Sequence, residues 1–390
     1  MPRKSTSKTK LTKKAPKAQI PVFRPSITDE EINAVTEVLR SGWLGLGPVT
    51  ENFETALAKH FGVKHVSALN SGTAALHLAL QLLNLKPDDE VIIPTITFIS
   101  TAHVVHYCNA KVVFTDVDEE TLCINIDDVR RKITPRTRAI IPVHYSGHPC
   151  DLDGLREVIG ERKITIIEDA AHACGAKYKD KLIGGISPLT CFSFHAVKNL
   201  TCGEGGAIFT NNSAWARKLR EMRWMGISKD TFTRSAKERV YAWQYWVNEL
   251  GYKYHMHDIS AALGIVQLKR LDENNQKRRA IMEQYNQAFE APSWIETPPE
   301  HDDVSSSWHI YHLKVPERDR LIAHLKHRGI APGVHYYPLH MHPYYASLDA
   351  QCPIAEEIWK RILSLPMYPD MTGEEIKRVI EAVITFGETI

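Results

Sequence analysis

The feature that most constrains this chain is a strict alternation of patterns between residues 65 and 210. Short apolar runs bounded by turns lie at 65–69, 90–93, 112–114, 139–143, 164–167, 191–194 and 207–210. Helix-like segments separate the earlier ones, at 73–83, 99–107, 126–132 and 152–160. Strands alternating with helices predict a largely parallel sheet covered by helices on both faces. The fold class expected is therefore α/β.

Other elements flank this core. Residues 29–39 read as a helix, with Ile32, Val35 and Leu39 at helical spacing and Thr28 as its cap. The run Gly42-Trp43-Leu44-Gly45-Leu46-Gly47-Pro48 then breaks the pattern. After a Trp- and charge-rich stretch at 224–246, a long helix is expected from 258 to about 289, followed by Pro298-Pro299. A strand at 308–315, a helix at 317–328, a second strand near 334–336 and a final helix from about 372 complete a smaller C-terminal α+β domain. The division expected is a basic tail over 1–18, a large domain over 19–265 and a small one over 266–390. There is no internal repeat.

Charge excludes some functions. Residues 1–18 carry seven basic residues (Arg3, Lys4, Lys8, Lys10, Lys13, Lys14, Lys17) and no acidic one, which predicts a disordered extension. Without those seven of the 48 basic residues, 41 face 46 acidic ones, so the folded body gives no electrostatic reason to bind nucleic acid. The seven cysteines are scattered with no C-x-x-C pair, as expected of reduced thiols in the cytoplasm rather than a disulfide framework or zinc site. No secretory apolar region follows the basic start. The longest charge-free stretch, 91–110, contains Pro94, two histidines and Asn109, and reads as core rather than a membrane span.

Three sites fall where predicted strands end, the edge at which open α/β sheets bind ligands. Asn70-Ser71-Gly72-Thr73 opens a helix, so its amides and the Thr73 hydroxyl suit a phosphate, although the same residues make a good capped turn. In Glu168-Asp169-Ala170-Ala171-His172 the carboxylate of Asp169 suits a ribose, a metal or a protonated ring nitrogen, or else a helix N-cap. In Ser193-Phe194-His195-Ala196-Val197-Lys198-Asn199, Lys198 is a candidate Schiff-base nucleophile. A phosphate cradle, a carboxylate and a crowded lysine together are what pyridoxal phosphate requires.

The ordered set of motifs resembles the DegT/DnrJ/EryC1/StrS family of nucleotide-sugar aminotransferases, which share the aspartate-aminotransferase fold. The markers are Phe23-Arg24-Pro25 with Ser41-Gly42-Trp43; Ser71-Gly72-Thr73; Pro94 with Thr97-Phe98; Glu168 to His172; Ser193-Phe194-His195 with Lys198-Asn199; Gly203-Glu204-Gly205-Gly206; Gly251-Tyr252-Lys253-Tyr254 with Asp258-Ile259; and Gly333 to Pro338. They cover about residues 20–385.

The resemblance implies a pyridoxal-phosphate enzyme with Lys198 as the Schiff-base lysine and Asp169 as partner of the pyridine nitrogen. It implies that Gly72, Thr73 and Ser193 bind the phosphate, that Phe98 stacks on the ring, and that His172 lies near the ring hydroxyl. It further implies a homodimer in which Lys253 or His255 of a second copy reaches the phosphate. His195, His335, Tyr336 and Tyr337 would contact substrate. The run from His335 to His342 lacks a metalloprotease-like H-E-x-x-H motif and contains Pro338, so no metal is expected. Trp224, Trp243 and Trp246 are candidates to cover the substrate pocket, with ordinary packing as the alternative. The retained lysine implies transamination rather than the dehydration run by relatives that carry histidine there. L-Glutamate is the expected donor and a nucleotide-linked 4-keto sugar, of the 4-keto-6-deoxyhexose type, the expected acceptor. Amination at C3 and a non-catalytic regulator that binds the cofactor are the competing expectations.

Overall fold

A computed structural model of the protein describes residues 19–228 and 245–388. The basic tail and Trp243 lie outside them. The expected alternation forms a seven-stranded sheet from β1 (His65–Leu69), β2 (Glu90–Pro94), β3 (Lys111–Thr115), β4 (Thr137–Ile140), β5 (Thr165–Asp169), β8 (Leu189–Ser193) and β9 (Gly206–Thr210), in the order β1-β9-β8-β5-β4-β2-β3. Pairings from β3 through β2, β4 and β5 to β8 are parallel, and β9 pairs antiparallel with both β8 and β1. Only β9 therefore runs against the rest, and the C-terminal ends of the other six share one edge. The strands are almost wholly buried, which is why they read as continuous apolar runs.

The helix α1 (Asp29–Ser41) carries the expected Thr28 cap as a full capping box with Glu31. Its spacing of apolar residues does not mark the inner face: Ile32 and Leu39 are 56% and 53% exposed, while Glu31 and Val38 are buried. A carboxylate explains this. Glu31 accepts hydrogen bonds from Gln267 (2.7 Å) and Arg270 (2.8 Å), and these fix which side of the helix turns inward. The helix α2 (Pro48–Phe61) starts at Pro48, in a position where proline lacks nothing the helix needs.

The long helix expected over 258–289 is two helices, Asp258–Lys269 and Leu271–Phe289. The break falls at Arg270 (φ −101°, ψ 0°), whose guanidinium turns toward Ser26 and Glu31. Farther on, β11 (Tyr311–Lys314) pairs antiparallel with β12 (Ile362–Leu365). The stretch 334–336 forms no strand; the neighbouring Gly333 makes an isolated backbone bridge to Ser364. Three very short strands, β6 (Lys177–Tyr178), β7 (Lys181–Leu182) and β10 (Val304–Ser305), make a separate sheet.

Two buried apolar clusters organise the whole. One surrounds the seven-stranded sheet and also takes in residues from Leu339 to Ile362. The other gathers Ile20 with residues from Ile281 to Phe386 around β11 and β12. All seven cysteines are buried and unpaired.

Candidate active site

At the shared strand edge lies a cavity of about 430 Å³. Gly72, Thr73, Phe98, Asp169, His172, Ser193, His195, Lys198, His335 and Tyr336 all line it. Chain segments far apart in sequence thus converge where strands end, as the sheet topology dictates.

One end is the start of α3 (Gly72–Gln81). The Ser71 side chain caps Ala74 N–H at 3.1 Å, leaving Gly72 and Thr73 as the first two helical residues, where amides lack helical acceptors. A Cβ on Gly72 would meet the Ser193 Cβ at 2.8 Å, so only glycine lets the Ser193 backbone come so close. The capped-turn and anion-cradle readings of this motif are compatible, because the cap uses a different amide.

Asp169 ends β5 and is followed by a turn rather than a helix, so it is not a helix cap. Its carboxylate accepts from the Thr101 hydroxyl (2.8 Å) and from the Ala171 amide (3.2 Å). Burial raises its pKa, and those bonds and the positive charge of Lys198 oppose the rise. Lys198 follows a tight turn, its amide donating to the His195 carbonyl at 2.9 Å. Burial lowers its pKa to about 8 against the pull of Asp169. The surface that Lys198 retains faces the cavity. A buried amine this close to neutrality is a competent nucleophile and proton carrier.

Histidines line the wall beyond the lysine. His172 Nε2 meets the Tyr336 hydroxyl at 3.2 Å, while its buried Nδ1 has no partner among the described residues. His335 Nδ1 is bound to the Ser364 hydroxyl at 2.8 Å, and burial drops its pKa to about 4. Phe98, at 56% exposure, stands with its ring centroid 6.1 Å from that of Tyr336. An exposed aromatic face, an orphaned imidazole nitrogen, a carboxylate and a helix start fit a planar phosphorylated ring.

One expected residue lies elsewhere, and the two expected to act from a second copy lie outside this chain's own cavity. Tyr337 does not line the cavity: its ring packs edge-on against Trp359 (4.8 Å) and His342 (5.0 Å). Lys253 and His255 also lie outside it, where Lys253 Nζ sits 3.4 Å from the centroid of the Trp224 ring and His255 packs edge-on to the same indole. Trp224 is thus taken up by packing, and Trp246 is exposed away from the cavity lining. His340, in the histidine-rich run, is tied to Thr95 and Glu356. Conversely, no motif points to Thr101 or to His309, whose Nε2 lies 3.4 Å from Lys198 Nζ.

Comparison with known proteins agrees with this geometry. Residues 25–384 match the model of the DegT/DnrJ/EryC1/StrS aminotransferase family, and the chain belongs to that family. It is 43% identical over 377 residues to the spore coat polysaccharide biosynthesis protein SpsC of Bacillus subtilis, covering 93% of this chain and 96% of the relative. The PLP form of the putative sugar aminotransferase Spr1654 from Streptococcus pneumoniae superposes with a TM-score of 0.88 at 32% identity, covering 95% of this chain and 99% of that one. Helicobacter pylori PseC, an aminotransferase involved in the biosynthesis of pseudoaminic acid, gives 0.89 at 28% identity, covering 95% of this chain and 100% of its own.

Proposed function

We propose that this protein is a pyridoxal-phosphate-dependent sugar aminotransferase that moves an amino group from L-glutamate to a nucleotide-linked 4-keto sugar, of the 4-keto-6-deoxyhexose type. The observation that carries the reading is the convergence of Lys198, Asp169 and the Gly72–Ser193 contact in one cavity. Family membership and the sugar aminotransferases among its structural neighbours support it. When bound, pyridoxal phosphate supplies the electron sink that makes a substrate C–H bond acidic.

The residues of the chain supply the rest. The helix start at Gly72 and Thr73, with Ser193, holds the phosphate. Asp169 keeps a ring nitrogen protonated by offering it a carboxylate, and Phe98 covers a ring face. His172 offers its unpartnered Nδ1 to the ring hydroxyl. Lys198 Nζ would carry the proton away from the α-carbon of the amino donor and, in the second half of the cycle, deliver a proton to the sugar carbon that receives the amine. His195, His335 and Tyr336 border the space left for that sugar. Among the described residues no arginine lines the cavity, and Lys198 is its only lysine. That supports a homodimer in which Lys253 or His255 of a second copy supplies positive charge for the phosphate. Among the described residues no helix is long and apolar enough to cross a membrane, and a cytoplasmic location fits this soluble chemistry.

The test is the visible absorption spectrum of the purified protein with pyridoxal phosphate. A yellow band that glutamate bleaches, with 2-oxoglutarate released, is the expected result. No band at any cofactor concentration would remove the reading and favour a binding protein.

A further inference from the structure

The lysine that lines the cavity has a partner on the segment that leads into β11. His309 is buried, and its Nε2 lies 3.4 Å from Lys198 Nζ. Its ring is clasped by two others: it stacks on Phe23 with centroids 5.2 Å apart and planes within 4°, and it tilts against His172 at 4.6 Å. Nδ1 has no hydrogen-bond partner among the described residues. The ring is thus held by its faces, and its one polar contact among the described residues is the lysine.

Its backbone is fixed just as firmly. The His309 amide donates to the Ser146 carbonyl at 2.9 Å. Two residues earlier, the Ser307 hydroxyl donates to the His172 carbonyl (2.7 Å), and Asn199, next to Lys198, donates to the Ser307 carbonyl (2.7 Å). Trp308, between them, sits at φ +49°, a left-handed conformation rarely adopted by a bulky residue. Such outliers persist where the surrounding structure over-determines them, and they cluster at functional sites.

We infer that His309 is a positioning residue for Lys198: its neutral Nε2 accepts a hydrogen bond from the lysine ammonium and holds Nζ in the cavity whenever that nitrogen is not covalently engaged. The inference rests on the function proposed above and adds a residue to it. Neutrality follows from the surroundings. Burial holds the His309 pKa well below the ordinary value, and the charges of Lys198 and of Arg278 behind it push the same way. Of the other titratable groups lining the cavity (Cys191, His195, Glu204 and Tyr336 among them), His172 and His335 are kept neutral by burial and Asp169 favours the ammonium. His309 is therefore the group that anchors the amine by a direct bond, while Asp169 acts on it through charge.

The experiment uses cofactor-free full-length protein with 13C-lysine labelling and follows the ε-carbon resonance of Lys198, assigned with Lys198→Met, through a pH titration. An acceptor stabilises the ammonium, so its removal lowers the pKa. In His309→Phe, which keeps a stacking ring, and in His309→Met, the midpoint falls by about one unit, the change expected from losing a charge-assisted hydrogen bond. In His309→Gln, whose amide oxygen can accept, it stays near the wild-type value. An unmoved midpoint in the folded variants lacking an acceptor, or one displaced as far in His309→Gln, overturns the inference. Failure of the function itself would appear separately, as wild-type protein that gives no band with pyridoxal phosphate.

Discussion

Glu168 and Asp169 are consecutive residues of one strand with opposite fates. Successive side chains of a strand point to opposite faces. Glu168 is buried among His144 (2.8 Å), the Ser187 amide (3.0 Å) and the Thr190 hydroxyl (3.1 Å). Burial alone would raise its pKa, but these partners bring it below the usual value. Asp169 has fewer partners and a pKa raised by burial. One carboxylate is structural, and the other faces the cavity.

The pair should separate by mutation. Asp169→Asn should keep its melting temperature within a few degrees and slow the glutamate half-reaction by roughly 10²-fold or more, as loss of a fixed charge in a dry site does. Glu168→Gln should instead lower stability by about 3 kcal/mol, because His144 loses a buried charged partner. Equal losses of turnover at unchanged stability would sink the distinction.

Lys198→Ala should reduce turnover by about 10⁴-fold, since the proton transfers lose their carrier. Single-turnover production of 2-oxoglutarate is the measurement. Near-wild-type turnover would place the chemistry on another residue.

The same lysine makes stability depend on pH. Its folded pKa of about 8 lies below the ordinary 10.5, so between those values the unfolded chain binds a proton that the folded chain does not. Stability without cofactor therefore rises with pH across that window, and below it the folded state carries the full penalty, on the order of 3 kcal/mol at most. Cofactor-free Lys198→Met should melt above the wild type at pH 7, and the gap should close toward pH 10.5. A gap that does not vary with pH would contradict the shift.

Gly72→Val should weaken pyridoxal phosphate binding by at least tenfold, with overall folding retained. The added side chain must displace Ser193, whose Cβ would lie 2.8 Å from the new Cβ. Equilibrium dialysis measures the affinity, and an unchanged value would remove this contact from the phosphate cradle.

The proposed acceptor can be tested with matched nucleotide sugars that carry the ketone at C3 or C4. Faster amination of the C4 ketone is expected. A clear preference for C3 would overturn the regiochemistry and leave the aminotransferase reading intact.

Much of this was legible along the chain because buried parallel strands carry dense local signals. The helix α5 (Ile126–Lys132) coincides with its expected span, and Lys198, Asp169, Gly72 and Ser193 stand out because each lies at a strand end or in the turn just beyond one. Two-residue strands such as β6 and β7 have no periodicity to read. The second strand of the small domain is Ile362–Leu365 rather than the expected 334–336, because both runs are short and only tertiary pairing selects between them. Thr101 and His309 lie 68 and 111 residues from the groups they touch, in segments with no motif of their own.

The wall built by His309, His335 and Tyr336 has a consequence for biosynthesis of the protein. Lys198 leaves the ribosome more than a hundred residues before its imidazole partner does. Domains fold as units while synthesis proceeds. A chain that ends before the segment leading into β11 therefore lacks the imidazole beside Lys198, and the cavity wall is complete only once the C-terminal third has been added.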